Sequence, residues 1–479
     1  MNALDRAIAY VSPSWAKDRV AARAQIAAAA PMLRQLESRR GPDPWRINDP
    51  ASRRWEARQG KPMSRHDRAQ IREVFELNPF ATKLLGSLLN NAIGFGITGT
   101  LKGSKRARAA WKKWERHCDF EGVQDLYGLQ ELIARTFFVE GEVFIVLRAE
   151  KNPSGIPLQL QVLDADMLDT TTVLSGVRIV DGIEYAGGRP VAYHFRQSRE
   201  LNSYGDTSRV PAEQVIHLFK RNRPGLRRGR SHFEPVLDVL EDVDGYLEAE
   251  GIRKKIAACF VGFRAPSEEQ DDPAMGAVEP STDPDEPPVE SFYPGMIING
   301  RAGEKMEFGQ PAQDQGIMDY MRWGGLRIAA GGQSTYEKTT GDLSNVNYSS
   351  YRAGGLEFER FIGRTQWLTL LPQCLHRIGD AWNEAAEPAG VLSRPVEITW
   401  TPPPFGSIDR SKDIKADREE MEVGLLSHRE AAAARGKDLD ELSDEIAADR
   451  KMLADKGLTF AGTASDAEKI IGESNDAAA

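Results

Sequence analysis

The chain of 479 residues lacks the features that would place it in a membrane or in a secretory pathway. No run of about 18 uncharged apolar residues occurs, so no membrane-spanning helix is expected. The first residues carry no basic head followed by an apolar block, so they are not typical of a secretory signal. The three cysteines, Cys118, Cys259 and Cys374, are far apart, which argues against a disulfide framework or a cysteine zinc site and fits a reducing cytoplasm.

Motifs of common catalytic sites are missing as well. The sequence has no G-x-x-x-x-G-K-[ST] phosphate-binding loop, no H-E-x-x-H and no G-x-S-x-G. One candidate for metal chemistry remains, because Asp164 and Asp166 close a predicted strand and could hold Mg²⁺ with His194 or His217 nearby. A metal-dependent nucleic-acid enzyme is therefore one alternative, although acidic residues that follow a strand are more often turn formers.

Charge is distributed unevenly along the chain, whose formal net charge is −9. Residues 1–116 contain 23 Lys and Arg against 10 Asp and Glu, which is +13, so the remainder carries −22. A basic N-terminal region favours a nucleic-acid or acidic partner, and a solvated face with an extended arm is the alternative.

Apolar spacing and turn signals predict an α+β body. A helix pair over 64–91 is broken at Asn78-Pro79, and Gly141 is expected to end a later helix. The other helices predicted in this part cover 107–118 and 126–140. The strands are predicted at 143–148, 158–163, 191–196 and 215–219.

The middle of the chain predicts a projecting helical hairpin. A helical run over 234–263, with Gly245 and Gly251 as weak points, is followed by an insert at 265–290 and by a second helical run over 314–330. The insert contains nine acidic residues, six prolines and no Lys or Arg. Short strands near 296–298 and 305–308 suggest a small mixed module at the tip.

The rest of the chain is predicted to be mainly helical. A Gly-rich loop over 331–347 precedes a long helix over 348–384 and a strand over 396–400. Ser427 and Glu430 have the S-x-x-E spacing of a capping box. A last helix is predicted over 438–453, and the small polar tail 462–479 reads as disordered.

Taken in order, several segments between residues 65 and 458 resemble the lambda-like portal family of tailed bacteriophages. These segments are Asn78-Pro79-Phe80-Ala81, Asn90–Ile97 (NNAIGFGI), Trp111-Lys112-Lys113-Trp114, Gly141-Glu142-Val143-Phe144, Leu160–Asp166 (LQVLDAD), Arg223–Gly229 (RPGLRRG) and Gly341–Ser350 (GDLSNVNYSS) followed by Arg352. The last one is the most specific.

The resemblance implies a portal fold with an α+β wing, a two-helix stem, a small α/β clip insert and a helical crown, assembled as a ring. The implied modules are a basic arm (1–63), the wing (64–233), a stem helix out (234–264), the clip (265–312), a stem helix back (313–330), a channel-loop region (331–347), a wing helix and strand (348–403), wing-to-crown helices (404–460) and a disordered tail (461–479).

The resemblance also implies a structural function without cofactor, metal or membrane. A ring, typically of twelve copies, would sit at one capsid vertex of the virion after assembly in the bacterial cytoplasm. Its implied partners are double-stranded DNA, the large terminase subunit, the major capsid and scaffolding proteins, and a head-completion or tail connector protein. Another ring-shaped head–tail adaptor is the second alternative.

Site residues follow from the same comparison together with the charge pattern. An acidic wall would repel DNA and prevent it from sticking. The residues expected to face the DNA channel are Asp238, Glu241, Asp242, Glu248, Gln333, Lys338, Asn345, Asn347 and Arg352. The acids expected to face the motor or adaptor from the clip are Glu268, Glu269, Asp271, Asp272, Asp283, Asp285, Glu286 and Glu290.

Two positions depart from the family pattern. Thr335 precedes Tyr336-Glu337 where Ser or Pro is more usual, which affects the expected conformation of the channel loop. Gly354-Gly355 interrupts a predicted helix that is normally richer in Ala and Leu, at a cost of roughly 1 kcal/mol for each glycine.

Overall fold

The computed structural model describes residues 62–174, 176–196, 207–258, 262–264, 297–299, 316–344, 346–406, 409–437 and 439–458. The chain divides into two units, Met1–Pro62 and Met63–Ala479, and all elements below belong to the second. The helices are α1 (Arg65–Leu77), α2 (Pro79–Ala92), α3 (Lys105–Glu115), α4 (Leu126–Glu140), α5 (Leu237–Ala258), α6 (Ile317–Gly331), α7 (Tyr336–Thr340), α8 (Tyr348–Thr365), α9 (His376–Ala386), α10 (Arg410–Glu422), α11 (His428–Ala433) and α12 (Leu439–Asp455).

The strands form two small sheets and two isolated pairs. They are β1 (Thr98–Leu101), β2 (Glu142–Arg148), β3 (Gln159–Leu163), β4 (Ile179–Val180), β5 (Ile183–Ala186), β6 (Arg189–Arg196), β7 (Thr207–Pro211), β8 (Val215–Phe219), β9 (Gly262–Arg264), β10 (Ile297–Asn299) and β11 (Ile398–Thr401). The sheets have the orders β3-β2-β8 and β4-β5-β6-β7, and the pairs are β1-β11 and β9-β10. Only β9-β10 is parallel among these described strands. The predicted mixture of helix and sheet is confirmed.

Local signals in the sequence explain where the first helices begin and end. Asn78 stops α1 and caps α2, because its side-chain oxygen accepts a hydrogen bond from the backbone nitrogen of Ala81 at 2.9 Å. Pro79 suits the first turn of α2. Gly141 ends α4 with a φ of 86°, and a Cβ there would lie 2.0 Å from the carbonyl carbon of Arg230, so only glycine fits.

The larger core joins the two ends of the body around four tryptophans. The ring of Trp111 on α3 lies 5.1 Å from those of Trp114 and Trp382 and 5.9 Å from that of Trp400. All four side chains are buried. Because Trp382 and Trp400 lie on α9 and β11, the late part of the chain packs directly on the early helices.

A second core lies between the two sheets. Phe144 on β2 packs edge-on against Phe195 and Tyr193 on β6, with ring centroids 5.5 and 5.7 Å apart. Beside it, the buried carboxylate of Glu142 accepts hydrogen bonds from the Arg228 guanidinium, the shortest at 2.6 Å. This buried ion pair ties the loop after β8 to the central strand.

The predicted helix over 348–384 is helical throughout, and its middle part is a π-helix. Residues Gln366–Leu375 form a π-helical segment between α8 and α9. Pro372 lies inside this segment and has no backbone N–H to donate, which fits a local change in hydrogen bonding. Gly354 and Gly355 do not interrupt α8, which continues through both.

The predicted helix over 234–263 is wrong at both ends. Glu234–Val236 is a 3₁₀ turn, and α5 itself begins at Leu237. α5 is unbroken at both glycines but ends at Ala258, and Phe263 lies in β9. The apolar residues after Ala258 fit the continuation of a helix by their sequence, but bulky residues such as Phe260 and Val261 suit a strand equally well.

The predicted loop over 331–347 is also wrong in part, since it contains α7. The Thr335 side chain accepts a hydrogen bond from the Lys338 backbone nitrogen at 3.3 Å and caps this helix, and Gly341 ends it at a φ of 81°. Thr335, which departs from the family pattern, therefore serves as the N-cap of α7. β1, β4, β5 and β7 were missed because they are short and β1 and β7 are rich in polar residues.

Other boundaries differ by a few residues. The helix predicted over 107–118 ends at Glu115, and the one over 314–330 covers Ile317–Gly331. The predicted capping box is confirmed, with the Ser427 side chain accepting from the Glu430 backbone nitrogen at 3.1 Å.

Several predictions fall outside the described residues. These are the arm over 1–61, the insert over 265–296, the strand over 305–308 and the tail over 462–479. Within the part of the chain that the structure describes, no helix is both long and apolar enough to cross a membrane.

Candidate functional site

α5 and α6 form an antiparallel hairpin with very close packing. A Cβ on Gly324 would lie only 2.6 Å from Cγ2 of Val243, so the Val243 side chain fills the space between the two helices and leaves no room for another. Residue numbers rise along α5 as they fall along α6 in the facing pairs Val236–Gly331, Val243–Gly324 and Tyr246–Tyr320. The predicted pair of projecting helices is therefore a packed unit.

The base of this hairpin is fixed to α1 and α2. The Asn78 amide donates to the Asp244 carboxylate at 2.6 Å, and the Gln70 amide donates to the Glu241 carboxylate at 2.8 Å. Beyond the hairpin, β9 and β10 pair in parallel and bring the two ends of the acidic insert side by side.

The four acids predicted to face the channel all lie on the outer side of α5. Val243 points toward α6. At about 100° per residue, Asp238, Glu241 and Glu248 fall on the opposite side of the helix, and Asp242 lies at its flank. All four are exposed: Asp238, Glu241, Asp242 and Glu248. Their position on a channel wall stays a prediction.

α6 presents a different outer face, which sequence reasoning missed. Trp323 is 52% exposed and Leu326 is 49% exposed, and both lie away from Gly324. Arg322 and Arg327 are exposed on the same side, and the Arg327 guanidinium lies 4.5 Å from the centroid of the Trp323 ring. Gly324-Gly325 was the available signal, because two glycines on a helix mark its closely packed side.

Lys338, which is predicted to face the channel, lies beside aromatic rings of its own chain. Its ammonium lies 4.8 Å from the centroid of the Phe358 ring on α8 and 6.0 Å from that of Tyr351. Burial lowers the pKa of Lys338, and nearby Glu359 partly offsets this effect. Gln333, by contrast, is exposed, with a φ of 53°.

Arg352 and Asn347 hold the first turn of α8. The Asn347 side chain accepts from the Ser350 backbone nitrogen at 2.8 Å, so it caps the helix. Arg352 donates to the Tyr348 hydroxyl at 3.2 Å and lies 3.7 Å from the Asp413 carboxylate. Both residues are exposed, and both have these structural partners within the chain.

The remaining predicted site residues fall outside the part of the chain that the structure describes. Asn345 lies outside the described residues. The same is true of the eight clip acids, Glu268, Glu269, Asp271, Asp272, Asp283, Asp285, Glu286 and Glu290.

The structure argues against the metal site suggested by two acids. Arg68 lies 2.6 Å from Asp166, and Arg72 also pairs with it. Burial raises the pKa of Asp166, but the hydrogen bonds and charges of Arg72 and Arg68 outweigh burial and bring it below its ordinary value. Asp164 caps the 3₁₀ turn that follows β3.

The two histidines named with those acids have separate partners. His194 lies 2.8 Å from Glu184, and His217 lies 3.1 Å from Glu142. Among the described residues, no group of three or more His, Cys, Asp or Glu side chains could hold a metal ion. The contacts of the described residues therefore count against the alternative in which Asp164 and Asp166 hold Mg²⁺ with one of these histidines.

Comparison with known proteins identifies the family. The family described as "Phage portal protein, lambda family" matches residues 50–366, which is more than half of the chain. The chain belongs to this family of phage structural proteins. It is 26% identical over 426 residues to the "Probable portal protein" of Halomonas phage phiHAP-1, covering 82% of this chain and 81% of that protein.

Two solved structures with a similar course of the chain come from gene transfer agent particles. They are the "Neck of empty GTA particle computed with C6 symmetry" (TM-score 0.43, 15% identity, 79% of this chain and 96% of that one) and the "Neck of native GTA particle computed with C12 symmetry" (TM-score 0.41, 15% identity, 78% and 94%).

Proposed function

We propose that twelve copies of this chain form a ring at one vertex of a phage capsid and that double-stranded DNA passes through it during packaging and ejection. The observation that carries the proposal is the family match across residues 50–366. The α5–α6 hairpin supports it, because a hairpin that leads to an acidic insert suits a protein that meets different partners at its two ends.

The ring nucleates assembly of the head with the major capsid and scaffolding proteins in the bacterial cytoplasm and then remains in the virion. The acidic insert docks the large terminase subunit and later a head-completion or tail connector protein. ATP is hydrolysed by the terminase, which fits the lack of a G-x-x-x-x-G-K-[ST] motif in this sequence.

The channel has to let DNA slide without tight binding. Gln333 and Asn347 offer exposed polar groups, whereas Lys338 and Arg352 already have partners on α8 and α10. A channel with few unpaired cations would release few counterions on contact with DNA, so DNA would be held weakly.

The two alternatives have less support. A different head–tail adaptor would not be expected to match the portal family over most of its length. A metal-dependent nuclease would need Asp166, whose carboxylate is held by Arg68 and Arg72. The nuclease alternative would gain support if the purified protein cleaved plasmid DNA only with Mg²⁺ and the Asp164→Ala variant did not cleave it.

Electron microscopy of the purified chain tests the proposed function. Class averages viewed along the particle axis should show a ring whose channel is wide enough for duplex DNA, and their symmetry counts the copies. Monomers or compact dimers at high concentration would contradict the proposal. A ring with another number of copies would change the proposed copy number and leave the rest of the proposed function standing.

A further inference from the structure

The two outer faces of the α5–α6 hairpin have complementary chemistry. The acidic face consists of Asp238, Glu241, Asp242 and Glu248 on α5. The arginine–tryptophan face consists of Arg322, Trp323, Leu326 and Arg327 on α6. We propose that the acidic face of one copy docks on the arginine–tryptophan face of the next copy, an inference that rests on the proposed ring.

The packing inside the hairpin places these faces on opposite sides. Val243 and Gly324 meet at the α5–α6 contact, so most of each outer face points away from the other helix, with Asp242 and Arg327 at the flanks. A molecule with two different, complementary faces on opposite sides makes head-to-tail contacts with its neighbours. Such contacts close into a ring when the rotation between neighbours allows it.

The arginine–tryptophan face has the composition of an interface centre. Tryptophan and arginine are enriched among the residues that contribute most to binding between proteins. About half of Trp323 and half of Leu326 is exposed to water, and docking would remove this apolar surface from it. The contact with the Trp323 ring orients Arg327 before any partner arrives.

The acidic face supplies the opposite charge. Four carboxylates oppose two guanidiniums, although Glu241 also accepts a hydrogen bond from the Gln70 amide of its own chain. Like charges would prevent two acidic faces from meeting. Ile252, which is 49% exposed on the same side of α5, adds apolar surface for Trp323 or Leu326. This arrangement competes with the prediction that the same acids line the channel, and the experiment below separates the two.

Charge reversal on either face tests the contact. The first variant combines Arg322→Glu with Arg327→Glu, and the second combines Asp238→Lys with Asp242→Lys. The first variant sets acidic residues against acidic residues at every contact. The second variant places two lysines opposite Arg322 and Arg327, while Glu241 and Glu248 remain on the acidic face. Each should therefore lose the ring in native mass spectrometry and electron microscopy, because each weakens the charge attraction at every contact. A 1:1 mixture should recover rings in which the two variants alternate, since each kind of neighbour then restores opposite charges.

Matched controls change the net charge by the same amount elsewhere. Lys112→Glu with Lys113→Glu on α3 controls for the first variant, and Asp444→Lys with Glu445→Lys on α12 controls for the second; all four residues are exposed. Both controls should assemble like the wild type. Recovery in the mixture also shows that the variant chains are folded.

Three outcomes would overturn the inference. Normal rings from the first variant would show that the α6 arginines do not take part in the contact between copies. Failure of the mixture to recover rings would show that the two faces do not pair with each other. Normal rings from the second variant with slowed DNA packaging would place the acids on the channel wall. Failure of the proposed function itself looks different, because the wild type would then form no ring.

Discussion

The close approach of α5 and α6 at Gly324 predicts that this residue cannot accept even one methyl group without loss of stability. In Gly324→Ala the new Cβ would lie 2.6 Å from Cγ2 of Val243, whereas carbon atoms in ordinary contact are about 3.5–4.0 Å apart. The helices would have to separate by about 1 Å at this point. Val243 cannot easily turn aside, because β-branched side chains strongly prefer one rotamer in a helix.

A matched control separates this steric cost from helix propensity. Gly245 is exposed on α5 and a Cβ there meets no atom within 4 Å. Gly245→Ala should therefore gain roughly 1 kcal/mol from propensity alone. Gly324→Ala gains the same term but also suffers overpacking of about 1–3 kcal/mol, so the two variants should differ by about that amount.

Native-state hydrogen exchange of the α5 and α6 amides is the appropriate assay, because it reports the local opening free energy of the hairpin. The protection factors of the two variants should differ by roughly 5- to 150-fold, with Gly324→Ala the less protected. Adding Val243→Ala to Gly324→Ala should recover part of the loss. Equal gains in protection for Gly324→Ala and Gly245→Ala would refute the reasoning.

Two further predictions concern buried carboxyl groups. Glu142→Gln leaves the buried Arg228 without its charge partner, so it should lower the free energy of unfolding in urea by about 3–5 kcal/mol. As a control, Glu397→Gln in the exposed pair with Lys102 should change it by less than about 1 kcal/mol. Similar losses of stability in the two variants would contradict this prediction. Burial raises the pKa of Glu115 from its ordinary 4.5 to about 7, so the folded state favours the neutral acid. The stability of the wild type relative to Glu115→Gln should be greatest below pH 4.5 and fall as the pH rises through 7, and a flat difference between pH 4 and 8 would count against the shift.

Much of the local structure follows from the sequence alone, because its causes lie within a few residues. Asn78-Pro79 stops one helix and starts the next through a bond that spans three residues. Gly141 and the capping box at Ser427 act over similarly short distances. The exposure of the α5 acids was also predictable, since helical spacing separates them from the apolar face.

Short apolar segments were predicted less well. The run after Ala258 could continue α5 or form a strand, and pairing of β9 with β10 decided for the strand. α7 was missed because its five residues give too few positions for a helical period to be recognised. In both places the deciding contacts come from other parts of the chain.

The sequence by itself determined the family, the mixed helix and sheet class and the two helices on either side of an acidic insert. Only the tertiary structure decided which groups remain available at their surfaces. It paired Asp166 with Arg68, 98 residues away, and placed Lys338 against Phe358. It also set Gly324 against Val243, which turns the two outer faces of the hairpin in opposite directions. These contacts depend on how distant helices pack, and spacing along the chain does not encode that directly.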